Sequence, residues 1–168
     1  MPVSMIGHVA FIGLGSNLEH PHRQLQQAFV DLEGLPDTRL LARSSLYRSA
    51  PLGCTDQPDF VNAVAKIATD LAPQALLDAL LRIEHQHGRE RTFRNAPRTL
   101  DLDVLLYDGL QLHGHGLTIP HPQMHKRAFV LQPLLEIAPD AAIPGIGTVA
   151  ESMEQCVNQR LERMVDVV

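Results

Sequence analysis

Residues 100–107 read LDLDVLLY, and this stretch constrains the fold more tightly than any other. Successive side chains of a strand alternate between its faces. Leu100, Leu102, Val104 and Leu106 therefore share one face, and Asp101, Asp103, Leu105 and Tyr107 the other. The second face opens with two carboxylates and then turns apolar. That is the pattern of a strand buried on both sides whose first residues emerge at the rim of the cover. The two aspartates sit roughly 7 Å apart along the backbone. Like charges so placed repel and resist desolvation, so a positive species is expected between them.

Hard oxygen ligands suit Mg²⁺, which commonly takes one or two carboxylates plus substrate phosphates. Two such ions about 4 Å apart could be shared by the pair. Asp-x-Asp also fits a solvated strand face, but the apolar residues at 100 and 104–107 argue against free solvation. Arginines supply the next clue. Arg82, Arg89, Arg91, Arg94 and Arg98 cluster in a chain with twelve arginines, two lysines and a net charge of −5. Guanidinium groups bind phosphate oxygens bidentately, so magnesium ligands beside phosphate ligands imply a nucleotide. The acidic balance excludes a general nucleic-acid binder. The local surplus suits a small polyanion.

The length of 168 residues, 45% of them hydrophobic, fits one domain. Aromatics make up only 4%, so aliphatic side chains must build most of the core. Cys54 and Cys156 lack the spacing of a zinc site, and one disulfide is possible without being implied. No apolar run approaches the roughly 20 residues that span a bilayer. A soluble, cytoplasmic protein with no membrane partner is expected.

Hydrophobic periodicity predicts strands over 8–14, 40–47, 60–69 and 100–107. Pro21 marks the start of a helix carrying Leu25, Ala28, Phe29 and Leu32. Pro73 opens a second, with Leu76, Leu77, Leu80, Leu81 and Ile83 as its stripe and Gly88 placed to end it. Asp108-Gly109 is a hairpin signal that should return residues 110–112 beside the preceding strand. A short helix is expected around 127–131, checked by Pro133. Thr148 with Glu151 matches a capping box, and a last helix should run from there to about Leu161. Helices and strands mix without βαβ alternation, which points to α+β. Residues 13–17 (GLGSN) lie between a strand and a helix, as a phosphate-cradling loop would. They lack the third glycine of the dinucleotide fingerprint and the Gly-Lys-Ser/Thr of the P-loop, and a tight turn explains them better. His121 lies between two prolines, with either a structural or a functional role.

Several segments together resemble one family, the 6-hydroxymethyl-7,8-dihydropterin pyrophosphokinases of folate biosynthesis. They are GLGSN (13–17), YRSAPLG (47–53), DQPDFVNAV (56–64), RIEHQHGRER (82–91), PRTLDLDVLLY (97–107) and LTIPHPQMHKRAFVLQPLLEIAP (117–139), in family order. The resemblance implies a ferredoxin-like, mostly antiparallel central sheet flanked by helices in three α/β/α layers. It also implies transfer of pyrophosphate from MgATP to the pterin hydroxymethyl group, releasing AMP. By the same carry-over, Asp101 and Asp103 would bind two Mg²⁺ ions. Arg89, Arg91, Arg98, His121 and Arg127 would contact phosphates, and Arg89 and Arg98 would stabilise the transferring group. Glu84, Val104 and Thr118 would help hold the nucleotide. The pterin would lie near Ser49, Leu52, Phe60, Asn62, Asn95 and Phe129. Asn62 would pair with the ring's amide edge and Phe129 would stack on its face.

The chain departs from the family pattern at Phe60, Leu81, Asn95, Gly116 and Pro122. No dedicated general base emerges. Segments 13–20, 53–59 and 89–97 are expected to close over the substrates and exclude water. A monofunctional monomer is expected. Two rivals remain at this point. One is another Mg²⁺-dependent nucleotidyltransferase or phosphatase, and the other a non-catalytic ferredoxin-like binding module.

Overall fold

The computed structural model describes residues 7–17, 20–49, 60–89, 100–114 and 116–164. Its elements run β1 (His8–Ser16), α1 (Pro21–Glu33), β2 (Thr38–Arg43), β3 (Tyr47–Ser49), β4 (Phe60–Thr69) and α2 (Pro73–Glu84), followed by a π-helical turn (His85–Arg89). Then come β5 (Leu100–Tyr107), β6 (Leu112–Gly114), β7 (Leu117–Ile119), a 3₁₀ turn (Met124–Lys126) and α3 (Ala128–Ile137). Strands β8 (Ala142–Ile143) and β9 (Gly147–Thr148), helix α4 (Val149–Glu154) and β10 (Glu162–Arg163) complete the described chain. The main sheet is antiparallel in the order β10-β3-β4-β1-β5, with β2 also paired to β4.

Alternation along the strands decides the layers. Ala63, Ala65 and Ile67 of β4, with Leu100, Leu102 and Val104 of β5, join a cluster that includes Leu25, Phe29, Leu76 and Leu80 of α1 and α2. Val64 and Leu105 point the other way, into a second cluster with Ala128, Leu131 and Leu134 of α3 and Val149 of α4. The result is the expected α+β sheet between two helical layers. Helix α1 begins at Pro21 and buries Leu25, Ala28, Phe29 and Leu32, as their spacing predicts. The Thr148–Glu151 capping box forms in both directions.

Several expectations shift. The predicted strand 40–47 is two short strands, both paired to β4. Ser44 lies between them; its N–H donates to the Val64 carbonyl, and its Oγ accepts from the Val64 N–H, both at 2.9 Å. The Asp108-Gly109 turn forms, with Asp108 at φ 49°, but the chain after it does not return along β5. Asp108 is tied to β1 instead, accepting from Val9 N–H at 2.9 Å and contacting His8 Nδ1 at 2.6 Å. Residues 112–114 then pair with β7.

Helix α2 gives way to the π turn before Gly88 is reached, and Leu81 is 43% exposed while Ala79 is buried. Pro133 does not stop α3, because Val130, Leu131 and Leu134 bury against the sheet and outweigh the one hydrogen bond its ring removes. The last helix ends at Glu154, well short of Leu161. Residues 13–16 belong to β1, so GLGSN is no phosphate-cradling loop.

Candidate active site

The two glycines of that segment serve the site through what they leave out. In the sheet register Gly15 sits opposite Asn62 on one side and Asp101 on the other, and Gly13 opposite Val64 and Asp103. Directly paired residues share a face. Gly13, Gly15, Asn62, Asp101 and Asp103 therefore lie together on the α3 side of the sheet. A Cβ on Gly15 would stand 2.9 Å from the Asn62 Oδ1, and one on Gly13 would stand 3.2 Å from Leu105. The bare backbone of β1 is thus the floor between the amide and the two carboxylates. No local sequence pattern marked this role; it appears only once register is known.

Helix α3 covers Val64 and Leu105 but stops short of the aspartates, which are half-buried. A cavity of about 930 Å³ opens there, lined in part by Asp101, Asp103, Asn62, His121, Arg127 and Phe129. The floor at its other end is set by β3 and β4. Ser49 pairs with Phe60 in the register, and both line the cavity. Asn62 is 5% exposed, and its Nδ2 donates to the Ser49 Oγ at 3.1 Å.

Strand β5 is the last strand of the sheet, so the N–H groups on its outer side need partners from elsewhere. Glu84, at the end of α2 and only 4% exposed, accepts the Leu102 N–H at 2.7 Å. Its carboxylate thereby fixes the residue between the two aspartates. Further along, the His121 N–H donates to the Leu105 carbonyl at 3.0 Å. The Gln123 N–H donates to His121 Nδ1 at 3.1 Å, so the neutral ring carries its proton on Nε2. Burial pushes the imidazole pKa down, the nearby Asp103 pulls it up and Arg127 pushes it down; the net effect is a lowered pKa. These influences put Asp103, His121 and Arg127 in one electrostatic neighbourhood. The Arg127 guanidinium lies 5.5 Å from the centre of the Phe129 ring, so a cation and an aromatic face share the wall.

Other expected site residues fall less directly. The Val104 side chain is buried among the residues packed on α1 and α2 and does not line the cavity. Thr118 lies half-buried on β7, opposite His113. Leu52, Arg91, Asn95 and Arg98 lie outside the described residues, as does the Arg89 side chain at the end of the π turn. The segments 53–59 and 90–97 of the expected closure lie outside them too. Sequence reasoning missed one wall of the cavity, formed by Lys126 and by residues 158–161 after α4. Lys126 falls within the 117–139 segment without being singled out there, and residues 158–161 belong to none of the family-like motifs.

Among the described residues no group of three or more His, Cys, Asp or Glu side chains could hold a metal ion. Two carboxylates with open backbone beside them make an incomplete donor set. That set fits a hard cation which takes its remaining ligands from substrate oxygens and water.

The chain matches the model of the 7,8-dihydro-6-hydroxymethylpterin-pyrophosphokinase (HPPK) family over residues 11–139. It is 48% identical over 155 residues to a Haemophilus influenzae protein, covering 92% of this chain and 97% of the relative. A Pseudomonas aeruginosa relative is 49% identical over 154 residues, covering 92% of this chain and 95% of its own. Both are named 2-amino-4-hydroxy-6-hydroxymethyldihydropteridine pyrophosphokinase. Among solved structures, the chain resembles Plasmodium falciparum HPPK-DHPS crystallised with pteroate, with a TM-score of 0.72 at 12% identity. That likeness covers 90% of this chain but 42% of the longer one, and it concerns the fold alone.

Proposed function

The chain belongs to the 7,8-dihydro-6-hydroxymethylpterin-pyrophosphokinase family, and from that premise we propose which of its residues carry the reaction. The enzyme transfers a pyrophosphoryl group from ATP to 6-hydroxymethyl-7,8-dihydropterin in folate biosynthesis, leaving AMP. This displaces both rival readings, the other magnesium enzymes and the non-catalytic module. The pterin hydroxyl oxygen forms a bond to the β-phosphorus while the bond from that phosphorus to the AMP oxygen breaks; the bridging oxygen leaves with AMP and the hydroxyl proton is released to solvent.

Asp101 and Asp103 would hold two Mg²⁺ ions against the triphosphate. When bound, these ions supply positive charge that neutralises phosphate oxygens as charge builds in the transition state. His121 offers Nε2–H, and Arg127 its guanidinium, to phosphate oxygens. Arg89, Arg91 and Arg98 would add further contacts, with Arg89 and Arg98 on the transferring group. Glu84 acts on the nucleotide side by holding β5 at Leu102; Val104 and Thr118 flank it. Asn62, fixed by Ser49, presents its amide to the pterin edge. Phe60 and Phe129 frame the ring, with Leu52 and Asn95 completing the pocket.

The observation that carries this assignment is the common face of Gly15, Asn62, Asp101 and Asp103 within one cavity. The Asn62 amide and the two carboxylates thus share one floor, which supports reading the first as the pterin-pairing group and the second as the metal-binding pair. Calorimetric titration tests it. Asp101→Ala should abolish the Mg²⁺-dependent part of ATP binding and leave pterin binding near normal, whereas Asn62→Ala should do the reverse. Equal losses for both ligands in both variants would refute the division.

The same reading takes residues 1–168 as one domain acting as a monomer in the cytoplasm, without membrane or nucleic-acid partners. Its net charge of −5 supports the lack of a nucleic-acid partner. No helix among the described residues is long and apolar enough to cross a membrane.

A further inference from the structure

The wall that the sequence left unmarked is a strap running from the end of α4 to β10. It is fixed at both ends. Cys156 is buried against α3 and α4, and β10 pairs with β3, where Glu162 meets Arg48 at 2.6 Å. The Met164 N–H donates to the Leu46 carbonyl at 2.8 Å. Between these anchors, residues 158–161 line the cavity. The strap lies beyond residue 139, where the match to the family model stops.

One side chain of the strap reaches the main chain that carries the site. Gln159 Nε2 donates to the Lys126 carbonyl at 2.8 Å, and Gln159 Oε1 accepts from the Ala128 N–H at 2.8 Å. The primary amide thus bridges the backbone on both sides of Arg127. Both of its polar ends are used, much as a neighbouring strand would use them. Arg127 is held in extended conformation at this point, just before α3 begins. Its guanidinium then lies over Phe129, one residue past the clamp.

We infer that Gln159 is a positioning residue for the transfer. By clamping the main chain around Arg127, it sets where the guanidinium and the Phe129 ring meet the two substrates. The C-terminal strap is thereby part of the active-site wall. This rests on the roles given above to Arg127 and Phe129.

The test is steady-state kinetics on the full chain with both substrates varied, alongside thermal melting. Gln159→Ala removes the clamp, and Gln159→Met removes it while keeping most of the volume, so that at least one variant stays folded. Each should raise KM for ATP and for the pterin on the order of threefold to tenfold, the loss of one or two hydrogen bonds. Glu151→Ala, which breaks the α4 capping box away from the cavity, should lower the melting temperature with both KM values unchanged. Wild-type KM values in Gln159→Met would overturn the inference, even if kcat fell, because that pattern means fewer folded molecules. Equal KM shifts in Glu151→Ala would overturn it too, since a general loss of stability in α4 would then suffice without the clamp. Arg127→Ala separates the two levels. If that variant keeps the wild-type KM for ATP, the phosphate role of Arg127 fails and the inference falls with it.

Discussion

Gly15 and Asn62 face each other across β1 and β4 so closely that a Cβ on Gly15 would stand 2.9 Å from the Asn62 Oδ1. The missing side chain is what lets a buried amide lie flat on the sheet and point into the cavity. Its other end is occupied by Ser49. Gly15→Ala would push the amide out of line without burying any new polar group. We predict a rise of about tenfold in KM for the pterin, the equivalent of one or two lost hydrogen bonds. The KM for ATP should change far less. Pterin titration followed by fluorescence checks this, and equal weakening of both substrates would contradict it.

Glu84 acts on the site from the opposite face. Its buried carboxylate accepts the Leu102 N–H, on the outer edge of β5 between the two aspartates. Glu84→Ala leaves that N–H without this acceptor. The expected cost is about 1.5–3 kcal/mol in denaturant unfolding, the range for a hydrogen bond to a charged group. Glu84→Gln keeps an acceptor and should lose less. Both should also raise the Mg²⁺ concentration needed for half-maximal activity, because Asp101 and Asp103 flank the loosened residue. A stability loss with unchanged Mg²⁺ dependence would confine Glu84 to a purely structural role.

A third cluster governs stability against pH. Burial raises the Glu136 pKa, but hydrogen bonds from the Tyr47 hydroxyl, the Ser45 N–H and the Ser45 hydroxyl lower it further, so the net value lies below 4.5. A depressed carboxylate stabilises the fold above its unfolded pKa, and this is lost as pH falls through the folded value. Burial, then the bond to Glu136, pushes Tyr47 up from 10.0 to about 12. Between those values the unfolded state loses its proton first, so stability falls as pH rises. We predict that Glu136→Gln destabilises the protein at neutral pH and flattens the acid limb below pH 4.5. Tyr47→Phe should flatten the limb between pH 10 and 12. Urea midpoints measured across pH check both, and an unchanged acid limb in Glu136→Gln would contradict the assignment.

Much of this was legible from residue patterns because it depended on local period. The alternation in residues 100–107 gave the rim position of Asp101 and Asp103, and the spacing of Leu25, Ala28, Phe29 and Leu32 gave the buried face of α1. What depended on pairing was not legible. Asp108-Gly109 has the composition of a hairpin turn, but the bonds from Asp108 to His8 and Val9 tie it to β1, a strand a hundred residues earlier. GLGSN reads as a loop because glycine is depleted in strands. Its glycines lie inside β1 because Asn62 and Leu105 need the space above them. Gln159 had no signal at all, since its role consists of two bonds to backbone groups more than thirty residues away.

Asp101 and Asp103 are the pair proposed to anchor metal-bound ATP for pyrophosphoryl transfer. The most direct measurement separates the nucleotide products formed by wild type and Asp103→Asn from ATP, Mg²⁺ and 6-hydroxymethyl-7,8-dihydropterin. Wild type should give pterin-dependent AMP and no free pyrophosphate, while Asp103→Asn, with an unchanged melting profile, should give essentially none. Near-normal AMP formation by folded Asp103→Asn would contradict the metal-anchoring role of the pair.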